Sequence, residues 1–197
     1  IIFAGLWGAS FLHLKYHISL IQAADLIHFL WIGLIISSPL VGWACTRYLT
    51  RNTLMLLASL VGIFSSYAIL FFPLSQHTLP IFLFLLGSAS TGQLLSFEMI
   101  KQNNPTNQHA IAIGFNSMII PSSAAILQPL SGWILQYQSK NTLTHNIPKF
   151  TIHDFQLALS IMPISFLLSI LIMLFIMFFH HPNESSFYKI KAKIHTI

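Results

Sequence analysis

The chain has 197 residues, 55% of them hydrophobic and only 7% charged, with a formal net charge of +5 and a mean hydropathy of +0.74. A soluble domain carries roughly 25% charged residues, and so few charges cannot cover the water-facing surface of a chain this long. The composition excludes a soluble globular domain, a disordered chain and a fibrous repeat, and leaves a membrane protein with several helices of about 20 residues each.

In chain order, six apolar segments are marked off by their breakers. The first, Ile1 to Leu12, is too short to cross about 30 Å of hydrocarbon. It begins in the middle of an apolar run, with no basic region and no small-residue cleavage site before it. It therefore reads as a helix cut through rather than a signal peptide, and the chain as a fragment. The second segment runs from about Ser19 to Cys45 and the third from Thr53 to Phe72. From Asn52 through Phe97 there is no Asp, Glu, Lys or Arg, and Pro73 and Pro80 punctuate the stretch. It splits there into the third span and a fourth, Leu79 to Ile100, joined by a tight turn. The fifth runs from about Thr106 to Tyr137 and the sixth from Phe155 to Phe179. Strands of a membrane barrel alternate in polarity; the continuous apolar run from Phe166 to Phe179 does not. The expected fold is all-α, a polytopic membrane helix bundle.

Cations give the orientation, because cytoplasmic loops collect them. If the helices alternate, Arg47, Arg51 and Lys101 share one side with Lys189, Lys191 and Lys193 of the tail. Lys15, Lys140 and Lys149 fall on the other. The excess predicts a cytoplasmic basic tail over residues 180–197. Spread in this way, the charge describes topology, and no nucleic-acid partner is expected. The single cysteine, Cys45, allows no disulfide within the chain and no cysteine zinc cluster. Most histidines sit at loops or helix ends. His13 and His17 have the spacing of two ligands on one helix face, but they straddle Lys15 with no carboxylate beside them, so no metal site and no cofactor are expected.

Two pentapeptides match. Pro39-Leu40-Val41-Gly42-Trp43 ends the second span and Pro129-Leu130-Ser131-Gly132-Trp133 ends the fifth, three helices later. Three is odd, so the second copy would cross the membrane in the opposite sense. That is the 3+3 inverted repeat of many secondary transporters; chance recurrence of residues common in membrane helices is the plain alternative. Pro39, Pro121 and Pro129 each free a carbonyl and mark positions where their helices could flex. Small residues at Gly33 and Ser37, Ser38 and Gly42, and Ser88 and Gly92 would let helix backbones approach closely.

Polar groups inside hydrocarbon are costly and are functional candidates by default. Gln93 on the fourth span and Asn116 on the fifth could bind a polar solute, or simply bond helix to helix at about 0.6 kcal/mol. Gln128 precedes a proline and could serve the backbone that Pro129 frees. Asp25 and Glu98 are the carboxylates expected at membrane depth. Asp25 lies three residues before His28 on one helix face, as a proton relay would, or it caps the helix start or forms a solvated pair. Glu98 is one helical turn from Lys101, as in an interfacial ion pair, unless burial makes it a gating or proton-coupling acid. Trp7, Phe11 and Trp31 could line a pathway or merely pack. The run Gly8-Ala9-Ser10-Phe11 has the look of a serine nucleophile turn, but Ser10 lies within a helix-like run with no glycine loop and no base placed by spacing. No catalytic residue, and no enzyme, is expected.

The stretch from Gly42 through Arg47 to Arg51 resembles the short cytoplasmic motif within one half of a major facilitator superfamily transporter: a glycine, an acid-arginine pair, then further basic residues. Thr46 stands where that motif has its acid, so the charge that would pair with a neighbouring helix end is lost. Phe3 to Leu12 resembles the seventh helix of bacterial members, and Ala112-Ile-Gly114-Phe-Asn116, followed by Gln128-Pro129-Leu-x-Gly132, is similar to the eleventh. The resemblance implies twelve helices in two six-helix halves with substrate at their interface. Residues 1–197 would then be the C-terminal half, its first helix truncated, rocking against a missing N-terminal half. The first, second, fourth and fifth spans would face the pathway, and the third and sixth lipid. It further implies alternating-access transport of a small polar solute in a bacterial inner membrane, with the proton as a candidate coupling ion. Likeness to bacterial relatives of lysosomal dipeptide transporters implies amino acids or short peptides. A non-transporting remnant or accessory membrane protein would share the same residues.

Overall fold

The structure, a computed structural model, describes residues 3–139, 143–144, 147–148 and 150–179. The basic tail expected over 180–197 lies outside the described residues, as do Lys140 and Lys149. A π-helical turn over Phe3–Trp7 leads into α1 (Gly8–Tyr16), followed by α2 (Leu20–Arg47), α3 (Arg51–Phe71), α4 (Thr78–Ala89) and α5 (Gly92–Asn103). A short 3-10 turn at Thr106–Gln108 precedes α6 (His109–Ser139), and α7 (Ile152–Leu159) and α8 (Ile161–Phe179) complete the bundle. Between α6 and α7, Leu143–Thr144 pairs antiparallel with Ile147–Pro148, Leu143 opposite Pro148. Among the described residues five stretches are long and apolar enough to cross a membrane: Leu20–Arg47, Arg51–Phe71, Thr78–Asn103, Thr106–Gln138 and Ile152–Phe178. The all-α expectation holds, with each segment displaced by only a few residues.

Local chemistry sets the helix boundaries. The Ser19 hydroxyl accepts from the Gln22 backbone N–H, and the Gln22 side chain returns the bond to the Ser19 N–H. This reciprocal cap starts α2, so Asp25 is not the capping residue. Thr50 caps α3 by accepting from the Thr53 N–H. Thr151 and Asp154 form a second reciprocal cap at α7. That role accounts for the burial of Asp154, a carboxylate the sequence reading did not place at depth.

Two segments expected to be continuous are broken. The fourth stops at Ser90–Thr91, where the Ser90 and Thr91 hydroxyls donate back to the carbonyls of Leu86 and Ser88. Such side-chain bonds compete with the helix ladder. The sixth breaks at Ser160. Pro163, in the first turn of α8, lacks an N–H and its ring would press on the Leu159 carbonyl, which ends α7 there. By contrast, α2 continues through Pro39, and α6 through Pro121 and Pro129.

Packing centres on α2, α3 and α4. A Cβ on Gly33 of α2 would overlap the carbonyl oxygen of Phe84 on α4, and one on Gly87 of α4 would overlap that of Leu30 on α2. The two glycines thus bring the two backbones into direct contact, and beside them Ser37 Oγ donates to Ser88 Oγ at 2.7 Å. The small residues singled out at Gly33, Ser37 and Ser88 meet here, with Gly87 as the fourth member. On its other side α3 packs against α8: the Phe166 ring lies against Gly62, and Ser59 and Ser169 share a hydrogen bond at 3.1 Å. The third span is therefore not wholly peripheral. It contacts α4 and α8 and leaves out only the stripe Leu57, Leu60, Phe64, Tyr67 and Phe71. α8 presents a broad apolar face including Leu168, Leu171, Phe175 and Phe178.

At one end of the bundle Lys15, beyond Leu12 and outside the apolar span, reaches the C-terminus of α3. Its ammonium donates to the carbonyls of Ile69 (2.6 Å), Leu70 (3.1 Å) and Phe72 (2.8 Å). These are carbonyls that a helix end leaves without internal donors, and a cation also suits the dipole there. Burial lowers the Lys15 ammonium from 10.5 to about 8, so it remains charged at neutral pH with three protons for three acceptors. The Tyr16 hydroxyl accepts from the Leu74 N–H nearby.

Candidate functional site

The residues singled out from sequence fall into four places. On α2, Asp25, His28 and Trp31 descend one exposed face at successive helical turns, beside α1. A cleft of about 280 Å³ opens there, lined by Gly5, Ala9, Ala24, His28 and Trp31 among others. Small side chains make the room: Gly5, Ala9 and Ala24 stand where larger residues would close it. The Asp25 carboxylate lies 4.0 Å from His28 Nδ1, and both side chains are largely exposed. His28 Nδ1 also lies 3.2 Å from the Asp25 carbonyl oxygen. Only an N–H can serve that oxygen, so in the neutral ring Nδ1 carries the proton and Nε2 is left as an acceptor.

Trp7 sits at the junction of the π-turn and α1, against α6. Its ring comes within 3.2 Å of the position a Cβ on Gly132 would take, and it meets Phe155 edge-on at 6.3 Å. Its indole Nε1 is buried without a hydrogen-bond partner among the described residues. Gln128, one turn before Gly132, places its amide beside Gly5. Phe11 does not line a pathway: it is fully buried, packed on Phe3 and Phe155. Its position on the α1 face turned toward α7 makes it a core residue.

A third group lies along α5 and α6. Asn116 Nδ2 donates to Ser96 Oγ at 3.0 Å, so Asn116 bonds helix to helix. Gln93 is exposed at the start of α5, just past the break and near the middle of the Thr78–Asn103 stretch, and its backbone carbonyl accepts from Ser96 Oγ. Apart from Ser131 and Leu135, the described side chains of α6 are incompletely covered; Pro121 and Pro129 lie on its exposed face.

The fourth group closes the end of the bundle opposite Lys15. Glu98 on α5 accepts from Lys101 at 3.1 Å and lies 3.7 Å from Arg51 Nη2 at the first turn of α3. The Lys101 pair was legible from the spacing; the Arg51 contact was not, because it crosses from one helix to another. Arg51 Nε and Nη1 are buried with no partner among the described residues. Arg47 and Gly42 are exposed on the last turns of α2, and a Cβ on Gly42 would meet nothing within 4 Å. Thr46, in the acidic position of the motif, turns its hydroxyl back to the Trp43 carbonyl at 2.8 Å.

Glu98 is half exposed, so its pairs are screened and each contributes no more than about 1 kcal/mol. Replacing it with glutamine removes both pairs and is expected to lower the thermal midpoint of the chain in detergent by no more than about 8 °C. A drop beyond 10 °C would show instead that the Arg51 contact is a buried and dominant one.

No group of three or more His, Cys, Asp or Glu side chains suited to a metal occurs among the described residues. Ser10 lies inside α1. The arrangement offers polar and aromatic groups along two incompletely covered helices. In comparisons with known proteins, the family model of the Major Facilitator Superfamily matches residues 1–195. No curated protein and no solved structure matches.

Proposed function

The chain belongs to the Major Facilitator Superfamily, whose members are membrane transporters of small molecules, and from that membership we propose that it is the C-terminal six-helix half of a twelve-helix transporter. One observation carries this reading: α6, long and apolar enough to cross a membrane, is covered by the described helices only along a narrow stripe, and α2 leaves the face bearing His28 and Trp31 open. Two incompletely covered helices, set with polar and aromatic groups, suit a solute pathway closed by a second half. Gly42 on α2 and Gly114 on α6 have open space where a Cβ would stand, as suits the approach of further helices.

In this reading the halves rock about the bound solute. The two matching pentapeptides mark the second helix of each three-helix unit, running in opposite senses. Arg51, Glu98 and Lys101 form the clasp at the cytoplasmic end, and Asp25 with His28 stands near the opposite end as a proton-coupling pair. The tail over 180–197 is cytoplasmic by its lysines, in a bacterial inner membrane. Amino acids or short peptides are the substrate class that the resemblance favours.

The test is reconstitution. The chain alone in liposomes is expected to drive no uptake, whereas the chain co-expressed with an N-terminal half encoded in frame before it takes up solute down an imposed proton gradient. Concentrative uptake by the chain alone would overturn the half-transporter reading.

A further inference from the structure

We propose that the cleft between the π-turn, α1 and α2 is a subsite for an ammonium group, so that the solute is a primary amine with an apolar body; this rests on the transporter reading above. The cleft of about 280 Å³ is lined by two electron-rich groups from consecutive turns of α2, His28 and Trp31, with the Asp25 carboxylate one turn before them, beside His28. The Asp25 carboxylate is not itself part of the lining but lies 4.0 Å from Nδ1 of the lining residue His28. His28 Nε2 is an acceptor, because Nδ1 is committed to the Asp25 carbonyl. The Trp31 indole is half exposed within the lining, and the face of an indole attracts a cation.

Nothing described nearby competes for the charge. Among the described residues the only ion-pair partner of Asp25 is His28. Lys15, the one lysine described on α1, is held by the three carbonyls at the end of α3. Arg51 and Lys101 are engaged with Glu98 on other helices. Asp25 is also the one described carboxylate that neither caps a helix nor faces a lysine or arginine, since Asp154 closes the α7 cap and Glu98 its two cations. A carboxylate ligand beside His28 would meet the like charge of Asp25 and the lone pair of Nε2, whereas an ammonium there has an acceptor in each. The remaining lining, with Gly5, Ala9, Ala24 and Ile27, is apolar and accepts a hydrocarbon body.

The probe is radiolabelled phenethylamine, bound by the full chain in lipid nanodiscs and measured by scintillation proximity. Phenylpropionate and phenethyl alcohol serve as anionic and neutral competitors of the same shape. Saturable phenethylamine binding is expected, displaced by neither competitor at equal concentration. Asp25→Asn is expected to weaken it about tenfold and Trp31→Leu about threefold to tenfold, both variants keeping the parent melting temperature because the two side chains are exposed. Displacement by phenylpropionate or phenethyl alcohol as strong as by unlabelled amine overturns the inference; so does binding unchanged in both variants, or no binding by the parent chain. The two readings fail separately. Uptake of anionic or neutral solutes but no amines by the assembled transporter would sink the ammonium site and leave transport standing. Amine binding without uptake of any solute would sink transport and leave the site.

Discussion

Replacing Gly33 with leucine is expected to destabilise the chain by about 3 kcal/mol, the upper end of what overpacking costs. The reason is what the new side chain meets. A Cβ at Gly33 would overlap the Phe84 carbonyl oxygen, which is backbone within a helix and has no rotamer to give. The helices α2 and α4 must therefore separate, and separation breaks the Ser37–Ser88 hydrogen bond along with the apposed Leu30–Gly87 contact. In a membrane no hydrophobic force restores the pair, because lipid solvates apolar side chains as well as a neighbouring helix does. A fall in the thermal midpoint of about 6–12 °C is the expected signature, with Gly87→Leu behaving alike. Gly42→Leu is the control: its Cβ meets nothing within 4 Å, so the chain in detergent should melt within about 2 °C of the parent. If Gly33→Leu and Gly42→Leu melt together, the close crossing is wrong.

The second large effect is expected at Lys15. Lys15→Met keeps the length and apolar stem of the side chain and removes the ammonium. The carbonyls of Ile69, Leu70 and Phe72 then lose their shared donor at a helix end, for which about 2–3 kcal/mol is a fair magnitude given hydrogen bonds from a charged group. Gln156 Nε2 still donates to the Leu70 carbonyl at 2.8 Å, so the end of α3 is weakened rather than stripped. Hydrogen exchange should rise at the last turn of α3 and the first of α7 and stay unchanged at the Arg51 end of α3. Lys15→Arg restores charge but puts a rigid planar fork where three carbonyl acceptors converge on one nitrogen, and partial rescue is expected. Uniform exchange changes over the whole helix would show that Lys15 acts on global stability alone.

Much of this architecture was legible because hydrophobic length and loop breakers are local signals. Ser19, Thr50 and the Pro73–Pro80 stretch bound their helices within a few residues of expectation. What escaped was tertiary. Lys15 reads in sequence as one loop cation among several; its acceptors are at least 54 residues away, and no periodicity encodes them. Phe11 is indistinguishable by type from a pathway aromatic, and only the packing of Phe3 and Phe155 against it puts it in the core. The Glu98–Lys101 pair was visible at one turn's spacing, whereas Arg51 joins it only because α3 and α5 lie side by side. The break at Ser90–Thr91 was hidden because residues with hydroxyl side chains are tolerated in membrane helices and disrupt only where several bond back to their own backbone.

That break divides the fourth span between different masters. Above it, α4 is keyed to α2 through Gly33 and Gly87; below it, α5 answers to α3 through Arg51 and Glu98 and to α6 through Ser96 and Asn116. Movement of α2 is thus expected to carry α4 directly and to reach α5 only across the joint. Spin labels on α2 and α4 should keep a constant separation through any working stroke, while a pair straddling the joint registers the bend.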